Sequence, residues 1–352
     1  MKNFIKGISE ADRLRALKYV KVGTNIAYAL FRYALLISVG FIIIYPLLYM
    51  IVTSIMSPTA ISNATRVWIP SDISMYYIKD NFYKAFVALD YLTSFTSTIK
   101  YEIISALIEV VSCAVIGYGF ARFNFKGKNI LTAILFLTIL IPDMMVMMPR
   151  MVNYANLDFM YILTGVEKVA GLFGSLLSKI FGEGVLKFFT WNLTPNIVNT
   201  GWTLWLPSLL GIGLRSGVLI YIYIQFFTGL PRELEEAAWV DGAGPIKTFL
   251  RIAVPSSSVV FITVTVFSVV WHWNDSLLSG LYFTDKRPLA PSLVGAKEFL
   301  GAAWGLYGGR NTPQQASVMM AICIIYILPV LIFYMIVQRG FVESIDRVGI
   351  TG

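Results

Sequence analysis

The sequence predicts an all-α polytopic membrane protein of six transmembrane helices, with both chain ends on the cytoplasmic side. Three observations carry this. Of 352 residues, 57% are hydrophobic and only 14% are charged, whereas a soluble domain keeps about 25% charged to cover its wet surface. Apolar runs such as LLISVGFIIIYPLLYMIV are unbroken, which suits spanning helices and not the period-two alternation of a membrane barrel. Lysine and arginine are unevenly shared between alternate loops. This composition excludes a soluble enzyme and a disordered scaffold.

A span needs about 20 mostly apolar residues, and six stretches qualify: 31–55, 96–120, 130–151, 206–227, 259–281 and 316–337. Residues 1–30 form a basic cytoplasmic segment carrying Lys2, Lys6, Arg13, Arg15, Lys18 and Lys21. Phe4, Ile5, Ile8, Leu14, Leu17 and Val20 fall roughly on one helical face. That suits a helix resting on the inner membrane surface, or equally a solvated tail. The span that follows is too long for a signal-peptide core and has no small-residue cleavage site after it. The outer loop 57–91 is polar enough to need packing for order. Pro46, Pro142, Pro149 and Pro329 lie within spans or at their edges, where a missing backbone donor kinks a helix.

Between the third and fourth spans lies an insertion of about forty residues, 158–199. Glu167, Lys168 and Lys179 interrupt its apolar run. A seventh span there would also move the basic loop 230–255 outside, so one or two amphipathic helices on the outer face are expected. Residues 31–338 then make up the transmembrane domain and 339–352 a cytoplasmic tail.

Orientation follows from the positive-inside rule. The N-terminus with Arg32, the loop 122–128, the loop 230–255 and the tail hold 15 of the 28 basic residues against 8 of the 20 acidic ones. Both ends are therefore cytoplasmic. Trp68, Trp191, Trp202, Trp205, Trp271, Trp273 and Trp304 fall near or beyond the outer span ends, as interfacial anchors do. Cys113 and Cys323 sit in apolar runs and can form neither a disulfide framework nor a zinc site. The single histidine, His272, lies between two tryptophans and is expected at the interface; no metal centre and no nucleic-acid partner are expected.

The informative stretch is LPRELEEAAWVDGAGPIKTFLRIAVP, 230–255. Leu234, Ala237, Ala238 and Asp241 follow helical spacing, and Glu233, Glu235 and Glu236 load a first turn where the helix dipole favours acid. Gly242 and Gly244 break this helix, Pro245 starts another, and Pro255 ends that one before the fifth span. Small Ala237 and Ala238 permit close approach of another backbone, and Trp239 is a partner-facing or packing side chain. The result is a compact acidic knob on the cytoplasmic side, suited to docking.

Glu236-Ala237-Ala238, three residues, Gly242, nine residues, then Ile252-Ala253-Val254-Pro255 resembles the signature loop of the permease subunits of binding-protein-dependent ABC importers. Val254 in place of leucine is the one departure. AVIGYGFARFNFKGKN, ILIPDMMVMMPR, LRSGVLIYIYIQFFTGLPRELEEAA, Trp273-Asn274-Asp275 and the ending VQRGFVESIDRVGITG resemble the carbohydrate subfamily, in particular the shorter of its two unequal permease subunits. The insertion 158–199 and the outer loop 285–313 depart from that pattern.

The resemblance implies a type I ABC importer fold in the cytoplasmic membrane of a bacterium. The partners it implies are a second homologous permease, two cytosolic ABC ATPases and an extracytoplasmic solute-binding protein or lipoprotein. It implies no catalysis and no cofactor in this chain, ATP and magnesium being held by the ATPase. Glu235, Glu236, Ala237, Ala238, Asp241, Gly242, Pro245 and Pro255 would form the ATPase-coupling element, with Glu236 as its charged contact, and 347–352 would reach the same interface. The loop 285–313 would reach into the binding protein.

Ionisable residues inside spans are costly and point to function. Glu109, Asp143, Arg215, Asn274 and Asp275 are the candidates, the last four for the translocation pathway; Arg215 and Asp275 suit a sugar hydroxyl or a mutual ion pair. Helix-to-helix pairing is the alternative for each. Two further readings stay open: an importer of glycerol-phosphate, a peptide or an amino acid, and a secondary transporter or intramembrane enzyme. A proton-coupled carrier needs paired charges at mid-membrane and an inverted repeat, and an enzyme needs a convergent nucleophile, base or metal cluster; the sequence displays none of these clearly.

Overall fold

The computed structural model describes residues 10–63, 69, 70, 72–155, 196–306 and 312–349. They fall into two compact units, Met1–Phe82 with Gly308–Ala321, and Tyr83–Tyr307 with Ile322–Gly352. Residues 156–195, and with them nearly all of the expected amphipathic insertion, lie outside the described residues.

In the first unit, α1 (Glu10–Ile55) is a single helix of 46 residues, about 70 Å long against about 30 Å of hydrocarbon. The sequence suggests a separate basic segment before the first span. Instead the helix runs from Glu10 into the span without a break, because no proline intervenes before Pro46. Phe31, Ile37, Ile42 and Ile43 on its flanks are exposed. Its C-terminal end is packed: Val52, Met56 and Ala60 form a small core with α2 (Pro58–Asn63). Asn81, on α3 (Met75–Ala88), donates to the Ser54 carbonyl at 2.9 Å and accepts from Ser317 at 3.3 Å.

The second unit is built around one long helix. α4 (Tyr91–Ser97) passes through a π-helical turn, Thr98–Ile103, into α5 (Ile104–Arg122). Then come α6 (Lys128–Leu140), α7 (Asp143–Ala155), α8 (Trp202–Leu209) and α9 (Ser216–Gly229). The docking segment holds α10 (Glu233–Val240) and α11 (Pro245–Thr248), and α12 (Ser258–Trp273), α13 (Leu277–Tyr282) and α14 (Leu289–Trp304) follow. The closing helix, α15 (Thr312–Gly349), contains Pro329.

Helices α8, α9 and α12 pack against α5. In lipid, apolar surface alone gives helices no reason to associate, so close backbone approach matters. Gly117 supplies it: a Cβ there would lie 2.5 Å from Tyr223 Cβ and 3.2 Å from the Ile220 carbonyl oxygen. Around this contact Val110, Cys113, Ala114, Leu219, Tyr223, Phe227 and Val264 are buried together.

Among the described residues, three helices are long and apolar enough to cross a membrane: Lys21–Ile55, Tyr91–Arg122 and Thr312–Gln338. The three other predicted spans are broken. The third bends by 100° between α6 and α7, at Pro142. The fourth is interrupted between Leu209 and Ser216, leaving α9 as its helical part. The fifth ends at Trp273 and restarts as α13. Of the segment expected as an outer loop, 285–313, the described residues are largely the helix α14, packed on α4 and α13 with Leu289, Ala296 and Leu300 buried.

Candidate coupling segment and translocation cavity

The segment 230–255 folds as its glycines and proline dictate. α10 ends at Val240, and Gly242 takes φ +78°, a left-handed conformation that costs a residue with a Cβ about 1–2 kcal/mol. The Gly242 N–H donates to the Trp239 carbonyl and that of Ala243 to the Ala238 carbonyl, closing the turn. Pro245 is the first residue of α11, where its missing N–H costs nothing. A second π-helical turn, Phe249–Ala253, follows, and the chain bends by 82° into α12.

The two glutamates of the segment have opposite roles. Glu235 is buried and accepts from Arg122 Nε at 2.9 Å, the two side chains being 4% and 3% exposed. Arg122 Nη2 also donates to the Leu230 carbonyl at 3.0 Å. Arg122, at the end of α5, therefore anchors both ends of the first turn of the segment. Glu235 is thus not available to an outside partner, contrary to its grouping with Glu236, which is exposed. Leu234, Ala237, Ala238 and Asp241 line one groove with Lys247 and Arg251. Trp239 is exposed, as are Val240, Ile246 and Leu250, so the knob presents apolar side chains beside its acid. Pro245 and Pro255 are exposed too.

The breaks in the third, fourth and fifth spans converge on one cavity of about 210 Å³, lined by Asp143, Arg215, Trp271, Asn274, Asp275 and neighbours. All four residues singled out for the pathway thus meet there. Asp143 stands in the first turn of α7. Arg215 precedes α9 in a left-handed conformation, φ +57°, with its guanidinium 5.1 Å from the centre of the Trp271 ring. A second hollow of about 520 Å³ shares Asp143, Arg215 and Leu277. The expected ion pair between Arg215 and Asp275 is absent among the described residues. The Asp275 carboxylate is committed instead to the start of α13, accepting from Leu278 N–H at 3.0 Å and Ser279 N–H at 3.2 Å.

Behind this cavity lies a cluster that the sequence did not reveal. His272, expected at the interface, is buried among protein groups, 1% exposed. Its Nδ1 lies 3.1 Å from Glu102 Oε2 and its Nε2 lies 3.2 Å from Glu109 Oε2. Glu109 also accepts from Ser268 at 2.9 Å and from Ser216. Trp273, expected as an anchor at the interface, is buried as well, and Tyr326 donates to its carbonyl at 2.9 Å. Paired ionisable groups within the apolar helices do exist, then, although the sequence shows none clearly. Glu109 is among the ionisable candidates of the sequence and Glu102 is not; their separation of seven residues, about two helical turns, is the signal that could have added Glu102. No group of three or more potential ligands among the described residues is arranged to hold a metal.

The family described as "Binding-protein-dependent transport system inner membrane component" matches residues 114–347. Protein LplC of Bacillus subtilis (strain 168) is 24% identical over 310 residues, covering 87% of this chain and 88% of LplC. The trehalose transport system permease protein SugB of Mycobacterium tuberculosis (strain CDC 1551 / Oshkosh) is 24% identical over 284 residues, 81% of this chain and 84% of SugB. A chain of a bacterial ABC transporter involved in the import of the acidic polysaccharide alginate shares the fold, with a TM-score of 0.57 at 17% identity. That match covers 95% of this chain and 99% of the other.

Proposed function

This chain belongs to the family of binding-protein-dependent transport system inner membrane components, and from that premise we propose that it is a permease subunit of an ATP-driven importer of a carbohydrate. As a family member it is a multi-pass protein of the bacterial cytoplasmic membrane and part of a transport system. The carbohydrate reading is supported by relatives such as SugB, a trehalose transport permease, and by the fold shared with a subunit of an alginate importer. In this reading the six spans are the three long helices, the bent pair α6–α7, α9 and α12, with both chain ends inside.

One observation carries the mechanism. α12 joins the knob at one end, through the 82° bend, and reaches the cavity residues Asn274 and Asp275 at the other. A cytosolic ATPase gripping the groove beside Glu236 would pull on α12 and so move the cavity wall. The cavity of about 210 Å³ and the hollow of about 520 Å³ share Asp143, Arg215 and Leu277 and form one continuous polar surface. That fits one wall of a pathway whose other wall is a second permease subunit. The chain performs no bond chemistry and carries no cofactor of its own in this reading; the ATPase subunits hydrolyse ATP, and an extracytoplasmic binding protein delivers the solute.

The test is retrieval of the tagged chain from its native membranes, with ATP hydrolysis and uptake measured in the same strain. The complex should contain an ATPase, and deletion of the chain should abolish uptake of a carbohydrate but not of glycerol-phosphate, peptides or amino acids. A chain retrieved without any ATPase would overturn the reading.

A further inference from the structure

We propose that His272 is a positioning residue for the cavity, pinned between Glu102 and Glu109 so that α5, α9 and α12 move as one node; this deepens the importer reading and rests on it. Ser216, bonded to Glu109, directly follows Arg215. His272 precedes Asn274 by two residues. Both Arg215 and Asn274 line the cavity. The cluster therefore fixes the two chain breaks that supply cavity side chains from α9 and α12.

Hydrogen counting shows why this contact is specific. Glu109 is met by Ser216, Ser268 and Nε2 together, and the Nε2 contact holds one proton, on either partner. The Nδ1 contact with Glu102 holds one further proton, on either partner. Glu102 Oε1 has no hydrogen-bond partner among the described residues, so this carboxyl is held through Oε2 alone. Glu102 sits in the π-helical turn Thr98–Ile103, a distortion that recurs at functional sites. A buried polar network is costly when half-satisfied, and hydrophobic residues could fill the same volume. What the network adds is a geometry with discrete partners, so α12 cannot shift relative to α5 without exchanging or breaking them.

The experiment uses the full transport complex with Asn274→Cys as the sole reactive cysteine, Cys113 and Cys323 being replaced by alanine. A membrane-impermeant maleimide reads how the cavity wall is held, with Val294→Cys on exposed α14 as a control. His272→Leu and Glu102→Leu should each change the Asn274→Cys labelling rate about fivefold or more and leave Val294→Cys unchanged. Glu102→Gln, whose amide can still donate to Nδ1, should stay within about twofold of the parent. Ser268→Ala, which removes one hydroxyl and keeps the helix, should give an intermediate change of about two- to fivefold even where the leucine variants fail to assemble. Unchanged labelling in Ser268→Ala and in whichever leucine variants assemble would overturn the proposal, as would Glu102→Gln behaving like Glu102→Leu. Labelling is read without solute or ATP, so it fails or succeeds independently of the importer assignment, which ATP hydrolysis by the same complex reports.

Discussion

Removal of the Glu235 carboxylate should loosen the knob from the body of the protein. Arg122 is 3% exposed and spends its Nε–H on Glu235 at 2.9 Å. Glu235→Ala leaves that donor buried without a partner, and breaking a buried ion pair from one side costs about 3–5 kcal/mol. The Nη2 bond to Leu230, 3.0 Å, survives, which places the expected cost near the lower end, about 3 kcal/mol. At 1.4 kcal/mol per tenfold, the detached state of α10 gains about a hundredfold in population. Hydrogen exchange over 230–255 reads this directly, and retention of ATPase on the tagged chain reads its consequence. Glu235→Gln keeps an acceptor and should cost about half as much. The double change Arg122→Met with Glu235→Leu should recover most of the loss, because well-packed apolar pairs replace buried ion pairs at little cost. Unchanged exchange and unchanged ATPase retention in Glu235→Ala would refute the anchor.

Three further outcomes follow from the geometry. Gly117→Ala puts a carbon 2.5 Å from Tyr223 Cβ and should cost about 1–3 kcal/mol, seen as a lower unfolding temperature of the purified chain or complex. At Gly242 nothing lies within 4 Å of an added Cβ, so only φ matters: Gly242→Ala should weaken ATPase coupling, whereas Gly242→Asn, which tolerates left-handed φ better, should retain more of it. Asp275→Asn leaves one carbonyl oxygen for two backbone donors, Leu278 and Ser279. It should cost about 1 kcal/mol, and a larger fall in uptake than in unfolding temperature would point to a direct role in the cavity.

The legible parts of this protein were those written in neighbouring residues. The knob could be read because Gly242 and Pro245 are local instructions and the Glu236-Ala237-Ala238 spacing is short. The division of labour between Glu235 and Glu236 could not, since it depends on which side of α10 faces Arg122, a partner 113 residues away. The partners of His272 escape the sequence for the same reason: Glu109 and Glu102 lie 163 and 170 residues away. Window counts of apolar residues bridged the breaks at Pro142, at Gly211 and at Asn274, because hydropathy does not register backbone geometry. In α1, by contrast, the charged residues before the span suggested a boundary where the helix continues.

The broken spans are also the ones that meet at the cavity, and the physics of lipid gives a reason. A helix interrupted inside a membrane leaves backbone groups unpaired at a cost of several kcal/mol each, and such breaks are tolerated where protein or a water-filled cavity receives them. Each break here is partly repaired nearby. The Ile141 N–H still reaches the Leu137 carbonyl and that of Ile212 the Pro207 carbonyl, while the Asp275 carboxylate takes two donors of α13. What remains open, at the starts of α7 and α9, adjoins the cavity residues Asp143 and Arg215. Among the described residues the lining holds one cation, Arg215, and two acids, Asp143 and Asp275, the second of which also accepts from backbone donors. Polar groups of both signs along such a wall offer a hydroxyl-rich solute donors and acceptors that it can exchange one at a time. A wall of continuous apolar helices would offer no such partners.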